Sequence, residues 1–339
     1  MNISTDNTSP NCNGSYFKIL ASIVLSGLAT GCTSISPSVQ NQPGKSLMTE
    51  RSTITSNKPK VVVTNTVLCD LTKQIAASSI ELICLLSPGS DPHIYKLTPA
   101  ARQSIEDARL VLYGGYNLEP ELTKAIKSSS NLATKVAVNE VAIPQPQQFT
   151  EDGQSTIDPH VWHNAQNGIK LAEVIEVNLS KLVPSQAKLY RQNTQNLTSE
   201  ITSIDRWIRS RVNTIPTANK VLITTHDSLG YYAKAYGLSI ATLAGVSTEE
   251  KPNAARAKEL IDRIKKTQVP TIYAELTLNP SLIQTIAKEA NVKVSEREIY
   301  ADGLGEAKSS GDTYQKMLIA NTQAIVTGLG GKYIPRVVK

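Results

Sequence analysis

From residue 61 onward the chain alternates short β-branched runs with helix-patterned stretches, and it does so in two separate halves. The first half carries VVVTNTVL (61–68), ELICLL (81–86), LVLYGG (110–115) and KVAVN (135–139), separated by LTKQIAA, TPAARQSIEDA and LEPELTKAIK. The second carries VLITT (221–225), SIATLA (239–244), TIYAEL (271–276) and VKVSEREIY (292–300), with helices opening near Asp227, Asn253, Pro280 and Asp312. Nearly continuous apolar strands alternating with helices predict parallel sheets covered on both faces. The expected fold class is therefore α/β, with two parallel-sheet lobes over residues 59–183 and 216–339. Between them Leu189, Leu197, Ile201, Ile204, Ile208 and Val212 recur at helical intervals, bounded by Pro184 and Pro216. This predicts one long rigid linker helix over 184–215, roughly 42 Å over its core 28 or so residues at 1.5 Å each.

The segment before residue 59 reads differently. ILASIVLSGLAT (19–30) is an apolar run preceded by Lys18 and followed by Gly31-Cys32. It is too short for a hydrocarbon core that takes about 20 residues. A short apolar run with a small-residue exit is a secretory signal, and Cys32 directly after Ala29-Thr30-Gly31 resembles a bacterial lipobox. Residues 1–31 are thus expected to be a lipoprotein signal peptide, with Cys32 as the lipidated first residue of the mature chain. Residues 32–58 are rich in Ser, Thr, Asn, Gln and Pro without an apolar period, the composition of a flexible tether. The folded body would then sit on the periplasmic side of the membrane, held by the lipid.

Composition narrows the partners. Lys+Arg 35 against Asp+Glu 29 leaves a net charge of +6, but the basic residues are scattered and aromatics make up only 5%. Without a basic stripe or an aromatic platform, nucleic acid is not an expected partner. Of the four cysteines, Cys12 leaves with the signal and Cys32 takes the lipid, so Cys69 and Cys84 remain. Outside the cytoplasm such a pair reads either as a disulfide or as two buried thiols.

The chemistry lies with the histidines. There are only four, and three stand beside an Asp or Asp-Pro: Asp91-Pro92-His93, Asp158-Pro159-His160 and His226-Asp227. In open α/β sheets ligands bind beyond the carboxyl ends of strands, and His226 follows VLITT directly while His93 follows ELICLL by a six-residue turn. Proline fixes the backbone just ahead of two of the imidazoles, which lowers the entropy lost on metal capture. Asp302, in Tyr300-Ala301-Asp302-Gly303 after the last strand, can supply a fourth ligand, with Glu275 as a competing carboxylate. Asp91, Asp158 and Asp227 are candidates for orienting the rings from behind, as is Glu275. His163, three residues after His160, reads as a surface residue or as a support behind the ligands.

These residues sit in segments that resemble the solute-binding lipoproteins of zinc and manganese ABC importers, the cluster 9 group that includes the lipoprotein adhesins. The resemblance rests on VVVTNTVLCDLTKQIA, PGSDPHIYKLTP, GGYNLEP, IDPHVWHN, TTHDSLGYYAKAYGL, YAELTLNP and DGLGEAKSSGDTYQKML, in order over residues 58–332. It implies two lobes joined by a long helix with one metal ion in the cleft between them. The family's ligands fall on His93, His160, His226 and Asp302. It also implies an ABC permease and its ATPase as partners, a monomeric protein, and the ion as cargo rather than as a catalyst.

Manganese-binding members generally present Glu at the third ligand position and zinc-binding members His, and here it is His226. Three imidazoles and one carboxylate suit tetrahedral Zn²⁺, whereas Mn²⁺ favours more oxygen. Against zinc, the His-rich loop many zinc members carry is missing: residues 139–158 contain no His. Affinity should fall with pH through the imidazole range, because protonated His cannot ligate. Two readings from other classes stand beside metal capture: a zinc hydrolase with Glu275 as general base, and a surface adhesin in which the metal serves stability.

Overall fold

The structure, a computed structural model, describes residues 58–151, 154–249 and 253–336. The expected signal peptide, Cys32 and the tether up to residue 57 lie outside them. Among the described residues no helix is long and apolar enough to cross a membrane.

The first lobe is built on β1 (Lys60–Val63), β2 (Glu81–Cys84), β3 (Leu110–Tyr113) and β4 (Thr134–Ala137). They form one parallel sheet in the order β2-β1-β3-β4, with Val62 opposite Ile83 on one side and Val111 on the other. Helices α1 (Thr66–Ala76), α2 (Pro99–Asp107) and α3 (Pro120–Ser128) make the crossovers, and α4 (Val138–Ala142) leaves β4. Val61, Val62 and Val63 are all fully buried, as a central parallel strand covered on both faces requires. β1 is shorter than its apolar run because the Asn65 side chain accepts the Leu68 amide and caps α1. An antiparallel hairpin, β5 (Gln148–Glu151) and β6 (Gln154–Ile157), then leads through a 3₁₀ turn at Val161–His163 into α5 (Ala165–Leu182). Hairpin and α5 are additions to the pattern expected from sequence.

The long linker helix is α6 (Ala187–Val212), entered by a 3₁₀ turn at Pro184–Gln186. Its buried stripe runs Tyr190, Thr194, Leu197, Ile201, Ile204, Ile208, Val212. Leu189, expected in that stripe, is instead 39% exposed. The three-and-four register passes through Tyr190, whose hydroxyl meets Ser79 at 2.6 Å.

The second lobe has two-stranded ladders. β7 (Val221–Thr224) pairs in parallel with β8 (Ser239–Thr242), and β9 (Thr271–Ile272) with β10 (Lys293–Val294). The Tyr273 amide donates to the Ile223 carbonyl at 2.9 Å and joins the two ladders. Beyond β9 and β10 the long runs expected as strands contribute only a single bridge, Glu275 to Ile299. Helices α7 (Gly230–Tyr236), α8 (Ala254–Thr267) and α9 (Ser281–Ala290) pack around them. The last helix, α10 (Tyr314–Gly328), is capped by Thr313. One apolar cluster draws on α1, α5, α6 and α10 together with Leu222, Leu229 and Tyr232, so the helical layer is shared by both lobes. The second lobe keeps a smaller core of its own around Ile223, Leu260, Ile264, Ile272 and Ile283.

Cys69 lies in α1 and Cys84 at the end of β2. A disulfide joins them, with Cα atoms 5.9 Å apart.

Candidate metal centre

His93, His160, His226 and Asp302 come from four separate loops, and each can offer one ligand atom so that all four atoms lie within 4.8 Å of one another. All four residues are buried, at 5%, 0%, 0% and 2% exposure. The Nε2 atoms of the three rings face a single oxygen, Asp302 Oδ1, at 3.5, 3.3 and 3.2 Å in chain order. His93 and His160 approach each other through their Nε2 atoms at 3.1 Å. The other carboxylate oxygen, Oδ2, accepts the Thr277 hydroxyl at 2.8 Å, leaving Oδ1 for the centre.

Each imidazole is held differently. His160 follows Pro159, and Asp158 Oδ1 accepts both its backbone amide and its ring Nδ1–H at 2.9 Å. The proton on Nδ1 leaves the Nε2 lone pair toward the centre, the tautomer a metal ligand needs. The turn is tied further by Asn139, whose Nδ2 donates to the Pro159 carbonyl at 3.1 Å. His226 follows the end of β7 with only Thr225 between, and there Glu275 accepts three bonds. Oε1 takes the amides of Thr225 and His226 at 2.8 and 2.9 Å, and Oε2 takes His226 Nδ1–H. Glu275 is thus behind the ring, outside the four-residue set. Asp91 Oδ1 accepts the His93 amide at 2.9 Å, and its Oδ2 accepts the Thr248 hydroxyl at 2.6 Å.

Of the four acidic neighbours, then, Asp158 and Glu275 bond to rings, Asp91 bonds to the backbone, and Asp227 bonds to no imidazole. Asp227 is buried with Oδ1 unpartnered, and burial together with the charge of Asp158 pushes its carboxyl up to about 7. His163 is fully buried, so its reading as a surface residue does not hold; its Nε2 lies 2.7 Å from the Ala301 carbonyl oxygen. Thr277, Thr248 and the Ala301 contact carried no signal in the sequence, because each bridges distant segments through a common residue type.

The electrostatics suit a cation. Burial alone would lower the His226 pKa, but the carboxylates of Glu275 and Asp302 outweigh it and hold the ring well above its ordinary 6.5. His160 is raised in the same way: burial opposes, and the bonds to Asp158 and Asp302 prevail. Burial would raise Asp302, yet His226 and hydrogen bonds from the surrounding rings hold it well below the usual carboxylate range. Without an ion, protons supply the positive charge that these carboxylates attract, and a metal must displace them.

The family model described as "ZnuA: Zinc-uptake complex component A periplasmic" matches residues 61–328. The chain belongs to this family. It is 31% identical over 281 residues to the metal ABC transporter substrate-binding lipoprotein SsaB of Streptococcus sanguinis, covering 81% of this chain and 90% of that one. It is 30% identical over 287 residues to the manganese ABC transporter substrate-binding lipoprotein PsaA of Streptococcus pneumoniae serotype 4, covering 83% and 92%. Among solved structures it is similar to the periplasmic zinc binding protein TroA from Treponema pallidum, with TM-score 0.76 and 29% identity over 80% of this chain and 99% of that one.

Proposed function

We propose that this protein is the extracytoplasmic substrate-binding component of a metal ABC transporter, one that captures a single divalent transition-metal ion and delivers it to the membrane permease. His93, His160, His226 and Asp302 are its ligands, and zinc is preferred over manganese. The observation that carries this reading is the convergence of three Nε2 atoms on Asp302 Oδ1 at 3.2–3.5 Å in a buried pocket. A tetrahedral ion with bonds of about 2.0–2.1 Å separates its ligand atoms by about 3.3 Å. Three nitrogens and one oxygen favour zinc over the harder manganese ion. The relatives' names divide between the two metals, so ligand chemistry carries the preference.

The ion is cargo: the permease and its ATPase are the partners, Cys32 carries the lipid anchor, and the protein works as a monomer. Domain limits follow the sequence reading, with lobes over 59–183 and 216–339 around the linker helix. Glu275, the general base a hydrolase would need, already accepts three hydrogen bonds from Thr225 and His226.

The test is a metal competition. Protein stripped with chelator is offered Zn²⁺, Mn²⁺ or both, desalted and assayed for metal content. One zinc retained per chain, with manganese lost even when offered alone, is the expected result. Tight retention of manganese alone would overturn the zinc preference, and retention of neither would overturn metal capture.

A further inference from the structure

His163 contributes no ligand atom to the centre, yet it is fully buried and makes one polar contact, with a carbonyl 138 residues downstream. A carbonyl oxygen only accepts, so Nε2 carries the proton and donates to Ala301. Nδ1 is then the bare nitrogen, and it has no hydrogen-bond partner. Burial, the largest influence, drives the ring's pKa down to about 3, so it is neutral. An apolar side chain here would bury no unpartnered nitrogen, and such an atom is a cost. What the imidazole adds is the bond to Ala301.

That bond belongs to a clamp. The segment Ala301–Leu304 carries Asp302, and sequence order assigns it to the second lobe. Its backbone, however, is gripped from the first lobe. The Leu304 amide donates to Thr66 Oγ1 at 2.8 Å, and the Gly89 amide donates to the Leu304 carbonyl at 3.3 Å. Gly303 lies so close to Thr66 that an added Cβ would fall 2.5 Å from its Oγ1. His163 supplies the third hold, one residue before the ligand. The Trp162 ring packs between the two histidines, with centroids 5.4 Å from His160 and 5.5 Å from His163, and Tyr314 donates to the Trp162 carbonyl at 2.7 Å.

We infer that His163 is a positioning residue of the metal centre: its Nε2–H fixes the Ala301 carbonyl and so holds Asp302 to the first lobe. His93, His160 and Asp302 then form one preset face, and His226 closes the set from the other lobe. The inference rests on the metal-capture reading and adds to it a residue that touches no metal.

Three variants test it, read by Zn²⁺ affinity in competition with an indicator and by the thermal midpoint of the metal-free protein. His163→Leu removes the donor, His163→Asn keeps polarity but is too short to reach Ala301, and His163→Gln restores an N–H near the Nε2 position. Loss of such a supporting hydrogen bond typically weakens metal affinity roughly tenfold to a hundredfold. That loss is expected for Leu and Asn, with Gln within about threefold of the parent, since a hydrogen bond of similar geometry is worth similar energy. The metal-free midpoint of Leu should equal or exceed that of the parent, which separates positioning from simple core filling. Leu and Asn both binding zinc as tightly as the parent would overturn the inference alone, as would Gln losing as much as Leu. A parent protein that retains no zinc would overturn the reading of the centre itself.

Discussion

The two lobes hold their metal-facing histidines in different ways. In the first lobe, His160 sits on a turn fixed by Pro159, by Asn139 and by one oxygen of Asp158, against a four-stranded sheet. In the second, His226 follows a two-stranded ladder; Glu275 takes both its amide and its ring, while the Thr224 hydroxyl donates to the His226 carbonyl and the Asp227 amide to the Gly245 carbonyl. Both turns are tied by several contacts; what differs is the carboxylate behind the ring, which is local in the first lobe, two residues before His160, and comes from 49 residues away in the second.

The largest expected effect comes from removing ligands. Binding free energies near 10–16 kcal/mol for structural zinc, divided over four ligands, put one ligand at about 3 kcal/mol, beyond a hundredfold in affinity. His160→Ala and His226→Ala should each fall by at least that much in an indicator competition. Stopped-flow release adds a second reading: if the two histidines contribute equally, zinc leaves the His226→Ala and His160→Ala proteins at equal rates. Faster loss from His160→Ala is expected, because it breaks the preset face.

Next in size is the exchange of each supporting carboxylate for its amide. In Glu275→Gln the amide oxygen must accept the backbone N–H groups of Thr225 and His226, which turns the NH₂ toward His226 Nδ1. The ring then has to carry its proton on Nε2, facing the metal, and affinity should drop roughly tenfold to a hundredfold. Asp158 serves His160 with one oxygen only, Oδ1, so Asp158→Asn can keep both bonds with its NH₂ turned away. Its loss should be several-fold smaller. Equal losses, measured by the same zinc competition, would break the contrast between the lobes.

The smallest effect is that of pH. In the metal-free protein His226 and His160 are held above their ordinary 6.5. A raised folded pKa gives stability that is present below about 6.5 and is lost as pH rises through the folded value. Asp302, held low, acts oppositely: its contribution is present above the ordinary carboxylate value and is lost only in strong acid. Between pH 6 and 9, then, the metal-free thermal midpoint should decline. The increment added by a fixed excess of zinc should grow over the same range, because fewer protons compete for Nε2. Calorimetry at stepped pH checks both trends, and a metal-free midpoint that rose with pH would contradict the charge arrangement around His226.

Much of this was legible in the chain. Asp-Pro-His twice, His226 at the end of an apolar strand, and Asp302 opening a glycine-rich loop mark positions where an α/β sheet presents ligands, and these four residues do converge. The alternation of strands and helices, and the stripe from Leu197 to Val212, follow from local periodicity, which the backbone obeys wherever one face is buried. Strand lengths were less legible. The runs at 271–276 and 292–300 have β-branched and aromatic character, but pairing depends on a neighbour in register, and only Thr271–Ile272 and Lys293–Val294 have one, with Glu275 bridging to Ile299.

What the sequence by itself determined is which side chains can bind a metal, because ligand chemistry belongs to the residue and the strand end that presents it is set locally. Tertiary structure alone decided which groups stand behind them. Asp91, Asp158 and Asp227 look alike as neighbours of a histidine, yet only Asp158 reaches a ring, while Glu275 reaches one from 49 residues away and His163 holds a carbonyl on the far side of the cleft. Such contacts are made where two lobes and a shared helical layer happen to meet. Their partners are fixed by packing over distances that no spacing along the chain records.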